Sequence, residues 1–189
     1  MNSVSSDVKK VEPLGGVKPA KFVSPKIVAL YGILTALTAA VTYATFVPFS
    51  PTKGYFNLGD SMVFFSALTF GWRAGSVCGG VGSAAADILL GSGIYAPITL
   101  VAKGGEGLLA GLIGRSKIWT TWRVVAGIVV GGAFMILTYF LAELIVLDVG
   151  LGKALSEVPV NILQVVIGGI IGALASYYVR KSYPSLTAG

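Results

Sequence analysis

Apolar residues run along this chain in long blocks, and the short stretches between the blocks hold most of the charge. Blocks of this kind outrun a buried strand and match a bilayer span, about 20 residues at 1.5 Å per residue for roughly 30 Å of hydrocarbon. The first block, 27–49, carries no charge, is too long for the core of a signal peptide and lacks a clear cleavage pattern. The second, 58–72, is short and begins beside Asp60. The third, 74–91, is built from Gly, Ala, Ser and Val around Asp87. The fourth, 94–114, holds Lys103 and Glu106, and the fifth, 124–147, has Glu143 near its end. The sixth, 158–179, is free of charge and begins with Asn161 and Gln164. The pattern predicts an all-α integral membrane bundle of six transmembrane helices over residues 26–182, with a flexible tail at 1–25 and a short one at 183–189. The second block is too short to cross alone. The bilayer must thin around it, its flanks must extend it, or its neighbours must shield it.

Composition sharpens this picture. Charged residues make up 12% of the chain and hydrophobic ones 54%, with a mean hydropathy of +0.82; a soluble domain carries about twice that charged share. The net charge of +6 is scattered among short loops and does not gather on one face, so it speaks for membrane topology and against nucleic acid. Place the amino terminus in the cytoplasm and six spans put eleven of the fourteen basic residues there. They are Lys9, Lys10, Lys18, Lys21, Lys26, Arg73, Arg115, Lys117, Arg123, Arg180 and Lys181. Both termini are then cytoplasmic, as expected for a multi-pass protein of the cell membrane.

Small residues recur at a spacing of four. Gly32, Ala36, Ala40 and Ala44 form one stripe, Gly71, Gly75, Gly79 and Ser83 a second, and Gly168, Gly172 and Ser176 a third. Such stripes let helix backbones approach closely in lipid. The second and third read as internal packing, whereas the first is regular enough to receive a partner subunit.

Ionisable groups inside a span are costly, about 2.5–3.5 kcal/mol each on the insertion scale. Here they converge: Asp60, Asp87, Glu143, Asn161 and Gln164 all fall toward the extracellular half, and Lys103 and Glu106 share a similar face of the fourth helix. Two readings stand at this level. Lys103 and Glu106 can pair with each other while Asn161 and Gln164 bridge helices, or the whole set can floor an outward-opening ligand pocket. Tyr55, Phe56 and Tyr95 in the adjoining loops suit stacking on a flat heterocycle, and equally suit anchoring at the membrane interface. The candidate ligand contacts are Tyr55, Phe56, Asn57, Asp60, Tyr95, Lys103, Glu106, Glu143, Asn161 and Gln164.

Catalysis finds little support. With no histidine, a serine or Cys78 nucleophile lacks its usual base. The stretch Leu58-Gly59-Asp60 has Asn57 where an intramembrane aspartyl protease needs glycine, and no Tyr-Asp pair exists. Gly152-Lys153 is followed by Ala154 and has Leu147 at the position of the first phosphate-loop glycine, so the chain has no nucleotide loop of that type. No metal and no cofactor is expected. A solitary secondary transporter or channel using the intramembrane carboxylates is the rival reading, against which stand the missing inverted repeat and the lack of a polar stripe crossing the bilayer.

Taken in order, Gly54-Tyr55-Phe56-Asn57-Leu58-Gly59-Asp60, Phe70-Gly71, Ala86-Asp87-Ile88-Leu89-Leu90-Gly91, Tyr95-Ala96-Pro97, Lys103-Gly104-Gly105-Glu106-Gly107 and Glu157-Val158-Pro159-Val160-Asn161 through Gln164 form a fairly specific set. Over roughly residues 27–181 the chain resembles the substrate-binding S component of an energy-coupling-factor (ECF) vitamin transporter, in the riboflavin and hydroxymethylpyrimidine branch. The resemblance implies a six-helix protein that captures a vitamin or precursor at the outer face. It also implies union with a transmembrane coupling subunit and two ATPases, and toppling in the membrane to release cargo. It assigns Ala36 and Ala40, with Gly32 and Ala44 extending the stripe, to the coupling subunit, and residues 49–57 to a lid. Relatives carry pyridoxine or thiamine. Trp72, Trp119 and Trp122 fall at cytoplasmic loops, away from the pocket, which counts against thiamine.

Overall fold

A computed structural model describes residues 24–48 and 55–187. The expected tail at 1–25 lies almost wholly outside the described residues. Six long or central helices account for the architecture: α1 (Pro25–Ala44), α2 (Gly59–Phe70), α3 (Trp72–Leu89), α4 (Ala96–Gly114), α5 (Thr121–Leu141) and α6 (Leu151–Ser182). A two-stranded hairpin, β1 (Val47–Pro48) against β2 (Tyr55–Phe56), joins α1 to α2 with Val47 opposite Phe56 and Pro48 opposite Tyr55. Pro184–Thr187 closes the described chain with one short helical turn. The all-α membrane bundle expected from the hydropathy blocks is the fold observed.

Among the described residues, four helices, α1, α4, α5 with its continuation to Val146, and α6, are long and apolar enough to cross a membrane. Their outward faces carry Ile33, Leu37, Leu100, Val101, Val129, Leu137, Ile162, Val166, Ile170 and Leu174, all exposed. Water would not tolerate so broad an apolar surface, but lipid matches it. The short second helix survives by shielding. Nine of its twelve residues are buried, because α1, α3, α4 and α6 all pack around it. Its core residues Phe64, Ala67 and Leu68 join Ala102, Ala110, Val124, Met135 and Val165 from three other helices.

Close backbone approach makes this packing possible. A Cβ on Gly168 of α6 would lie 2.5 Å from the Asp60 Cβ and 2.9 Å from the Ser61 amide nitrogen. A Cβ on Gly107 would lie 2.2 Å from the Gly75 carbonyl oxygen, where α4 crosses α3. The third stripe is therefore internal packing, as expected. The second is internal too, with one correction. Gly71 does not continue the helical stripe; it separates α2 from α3 with φ of 99°, a conformation that other residues rarely adopt. The first stripe faces outward, and Gly32, Ala36, Ala40 and Ala44 are all exposed while Leu34, Thr38 and Thr42 turn toward the bundle.

Element boundaries move in two places that matter. Helix α6 begins at Leu151, a full two turns before the expected 158, so Glu157 belongs to the helix and faces inward. Its Pro159 withholds one backbone donor from the helix ladder without ending it. The fifth block does not stay α-helical to 147. It passes into a π-helical turn, Ala142–Val146, in which the Leu147 amide donates to the Ala142 carbonyl at 2.9 Å. The wider turn leaves Ile145 and Val146 facing outward and swings Glu143 into the protein.

Candidate ligand site

The helices alternate in direction, and their polar residues collect at one end. Thr42 sits near the end of α1, Ser83 and Asp87 near the end of α3, and Tyr139 and Glu143 at the end of α5 and its π turn. Tyr95, Thr99 and Lys103 come from the start of α4, and Glu157, Asn161 and Gln164 from the start of α6. With Tyr55 and Asn57 of the connecting segment they line a narrow recess of about 30 Å³. No Leu, Ile, Val, Phe or Trp is among the described lining residues. The basic side chains Arg73, Arg115, Arg123 and Arg180 stand at the opposite end of the same helices. There Arg115 donates to the Thr69 carbonyl at 3.2 Å and Arg180 to the Leu68 carbonyl at 3.3 Å, satisfying the last carbonyls of α2.

Beneath the recess lies a buried ionic floor. The Lys103 ammonium bonds Asp60 and stands 3.5 Å from Glu106. All three side chains are almost completely withdrawn from solvent. The pairing of Lys103 with Glu106 read from their spacing is thus present, but Asp60, forty-three positions away, is the tighter partner. Asp60 reaches it because α2 is threaded through the middle of the bundle. The Lys103 ammonium also lies 5.9 Å from the centre of the Tyr139 ring.

Over the recess, the connecting segment is tied down by side chains. The Tyr55 hydroxyl donates to the Asp87 carboxylate. Burial beside that carboxylate pushes the Tyr55 phenol well above its ordinary range, which keeps it a donor. Asn57 donates from Nδ2 to Gln164 at 2.8 Å and accepts from the Gly59 amide at 2.7 Å, so one side chain both starts α2 and ties it to α6. Gln164 in turn donates to the Asn161 side chain at 3.1 Å and to the Tyr55 carbonyl at 3.4 Å. The bridging weighed for this pair is thus made by Gln164, which joins Asn57 and the Tyr55 carbonyl, while Asn161 bonds Gln164 on the same helix and both line the recess.

Several polar atoms on this wall are buried with no hydrogen-bond partner among the described residues. They are Thr42 Oγ1, Ser83 Oγ, Asp87 Oδ2, Glu143 Oε2 and Glu157 Oε1. Leaving such atoms unsatisfied costs about 1–3 kcal/mol each, more when they are charged. A molecule seated here that offers donors would relieve that cost.

Of the residues singled out from the sequence, Tyr55, Asn57, Tyr95, Lys103, Glu143, Asn161 and Gln164 line the recess. Asp60 and Glu106 form its floor one layer down. Phe56 is half-buried in the hairpin and stands outside the wall. Residues 49–54 of the expected lid lie outside the described residues. Sequence reasoning passed over Thr42, Ser83, Thr99, Tyr139 and Glu157, and it noted Asp87 without counting it as a contact. Glu157 was lost to a misplaced helix start, and the position of Asp87 inside a small-residue helix was a signal that could have been used. Thr42, Ser83, Thr99 and Tyr139 are ordinary residues in apolar helices, with no local mark.

Comparison with known proteins agrees with this architecture. Residues 22–181 match the family model described as ECF-type riboflavin transporter, S component. An uncharacterized protein in gap 3′ region from Pyrococcus woesei is 39% identical over 146 residues, 75% of this chain and 95% of that protein. The thiamine precursor transporter HmpT of Lactococcus lactis subsp. cremoris is 29% identical over 160 residues, 83% of this chain and 89% of the relative. A solved structure described as the S component of a bacterial ECF transporter superposes with a TM-score of 0.66 at 19% identity, covering 83% of this chain and 95% of that one. At that identity it shows a shared fold. Six helices, four of them long and apolar enough to cross a membrane, a polar recess at one end and a family match over most of the chain lead to one statement: the chain belongs to the ECF-type riboflavin transporter S-component family.

Proposed function

We propose that this S component captures a small, polar heterocycle of the hydroxymethylpyrimidine class in the recess between Tyr55 and Lys103. It would then deliver its cargo through a coupling subunit driven by two ATPases. The observation that carries this reading is the wall itself: among the described lining residues stand polar side chains and tyrosines and no Leu, Ile, Val, Phe or Trp, and five buried polar atoms have no hydrogen-bond partner among the described residues. A riboflavin ring system brings a dimethylated benzenoid edge that prefers apolar contact, whereas a single hydroxylated ring has far less apolar surface to bury, chiefly faces on which tyrosines can stack. Kinship with a relative named for a thiamine precursor is consistent with that choice. Tyr55, Tyr95 and Tyr139 would hold the ring, while Asn57, Asn161 and Gln164 would orient its hydroxyl and ring nitrogens.

Support for the partner surface comes from the exposed stripe Gly32, Ala36, Ala40 and Ala44 on α1. A Cβ on Gly32 would meet nothing within 4 Å, so a helix of the coupling subunit could approach this face closely. The excess of basic residues at the opposite end from the recess orients the mouth outward.

The test is native mass spectrometry and calorimetry on the purified protein with a panel of hydroxymethylpyrimidine, riboflavin, pyridoxine and thiamine. Stoichiometric binding of hydroxymethylpyrimidine, tighter than riboflavin, is expected. Failure of every panel member to bind, or tighter binding of riboflavin, would count against the proposal. Flux through liposomes holding this chain alone, without ATPases, would favour a secondary transporter.

A further inference from the structure

The charge balance of the recess bears on what its ligand must carry. We infer that the site selects a heterocycle bearing an amidine-like edge, a ring nitrogen next to an exocyclic amine, and that the carboxylates of Glu143 and Glu157 read that edge. The inference rests on the recess being the capture site.

Three carboxylates open onto one small volume. Asp87, Glu143 and Glu157 are 1%, 2% and 4% exposed, and each keeps one oxygen without a hydrogen-bond partner. Against them stands one cation among the described lining residues, Lys103. Its ammonium is already engaged from below by Asp60 and Glu106, so it has little charge left to offer the wall above. Asp87 accepts from the neutral Tyr55 phenol with the Thr99 hydroxyl beside it, and the Tyr95 phenol faces Glu143. Neutral donors cannot hold several buried carboxylates in the charged form, and without a countercharge such groups keep a proton instead. The missing component is a donor-rich, positively polarised group, and the ligand is what can supply it.

Geometry narrows the group further. Glu143 is delivered by the π turn after α5 and Glu157 by the first turns of α6, and the two acids line the same recess near one another. A carboxylate grips two adjacent N–H donors in parallel, as it does a guanidinium. An aminopyrimidine protonated at the ring nitrogen beside the amine presents that edge, and the neutral ring presents one donor beside one acceptor, which a protonated carboxyl group matches. A flavin or an oxo-pyrimidine instead presents an imide N–H flanked by carbonyl oxygens, and those oxygens would be set against the carboxylates.

The experiment is calorimetry on the full-length protein in nanodiscs, with hydroxymethyl aminopyrimidine and its oxo analogue as probes. The unaltered protein should bind the amino ring at least about tenfold more tightly, the scale of one charge-assisted hydrogen bond. Glu143→Gln and Glu157→Gln, which keep the side-chain volume, should each weaken the amino ring about tenfold while leaving the oxo ring unchanged or tighter. Thermal unfolding checks that both variants remain folded. Equal affinity for the two rings, or an undiminished preference in both variants, overturns the inference and leaves the capture site standing. Insensitivity of both probes to Thr99→Trp, which fills the same recess, would overturn both.

Discussion

Lys103→Met tests the buried floor most directly. The substitution removes one ammonium and leaves two carboxylates, Asp60 and Glu106, in a layer where neither side chain has measurable exposure. Removing one partner of a buried pair costs about 3–5 kcal/mol because the remaining charge is uncompensated, and here two are left. Methionine matches lysine in length, so loss of packing adds little. For a chain of this size about 2–4 °C of melting temperature accompanies each kcal/mol. A fall of about 6–20 °C is therefore expected when unfolding is followed in detergent by circular dichroism. The informative comparison is Glu106→Gln. Two acids share one lysine, and Glu106 stands at 3.5 Å while Asp60 holds the bond. Neutralising Glu106 removes the surplus negative charge and leaves the tighter pair intact, so it should cost no more than about 1 kcal/mol. If Glu106→Gln were as damaging as Lys103→Met, the floor could not be a single pair with a surplus carboxylate, and the charge balance drawn for the recess would fail with it.

Further outcomes follow from the packing. Gly168→Val places atoms against the Asp60 side chain and the Ser61 backbone, forcing α6 off α2; a loss of about 1–3 kcal/mol or more is expected, read as a lower melting temperature together with weaker ligand binding. Gly32→Ala, where an added Cβ meets nothing within 4 Å, should leave stability unchanged or raise it by up to about 1 kcal/mol through helix propensity; a clear loss would show that the α1 stripe is internal. Asn57→Ala breaks the bonds to both Gln164 and Gly59, costing about 1–3 kcal/mol, whereas Asn57→Asp retains the acceptor for Gly59 and should recover part of the melting temperature but not the ligand affinity. Ala36→Trp or Ala40→Trp should abolish co-purification with the coupling subunit while calorimetry finds ligand affinity intact, and equal loss of both would move the stripe into the core of the fold.

Much of the site was legible because its members are chemically out of place. Lys103, Glu106, Asp60 and Glu143 stand in apolar blocks where charge is expensive, so each announces a partner or a ligand. Their common level followed from counting spans and alternating direction, which needs no tertiary knowledge. Glu157 was hidden for a different reason. It stands just before the apolar run that opens the sixth block, and hydropathy marks where lipid contact begins rather than where helix begins. The π turn was equally hidden, since nothing in Ala142–Val146 distinguishes it locally from an ordinary helical turn.

Hydropathy and charge by themselves determined that this chain lives in a bilayer as an all-α bundle and which end is basic, because those properties are sums over local residues. Which groups meet was decided by tertiary structure alone. The Lys103 partner is Asp60 because α2 runs through the middle of four other helices, an arrangement allowed by glycines whose missing side chains become intelligible only when the facing backbone is known. Thr42, Ser83, Thr99 and Tyr139 belong to the recess for the same reason: a hydroxyl in an apolar helix is bland until packing closes it into one chamber with three carboxylates.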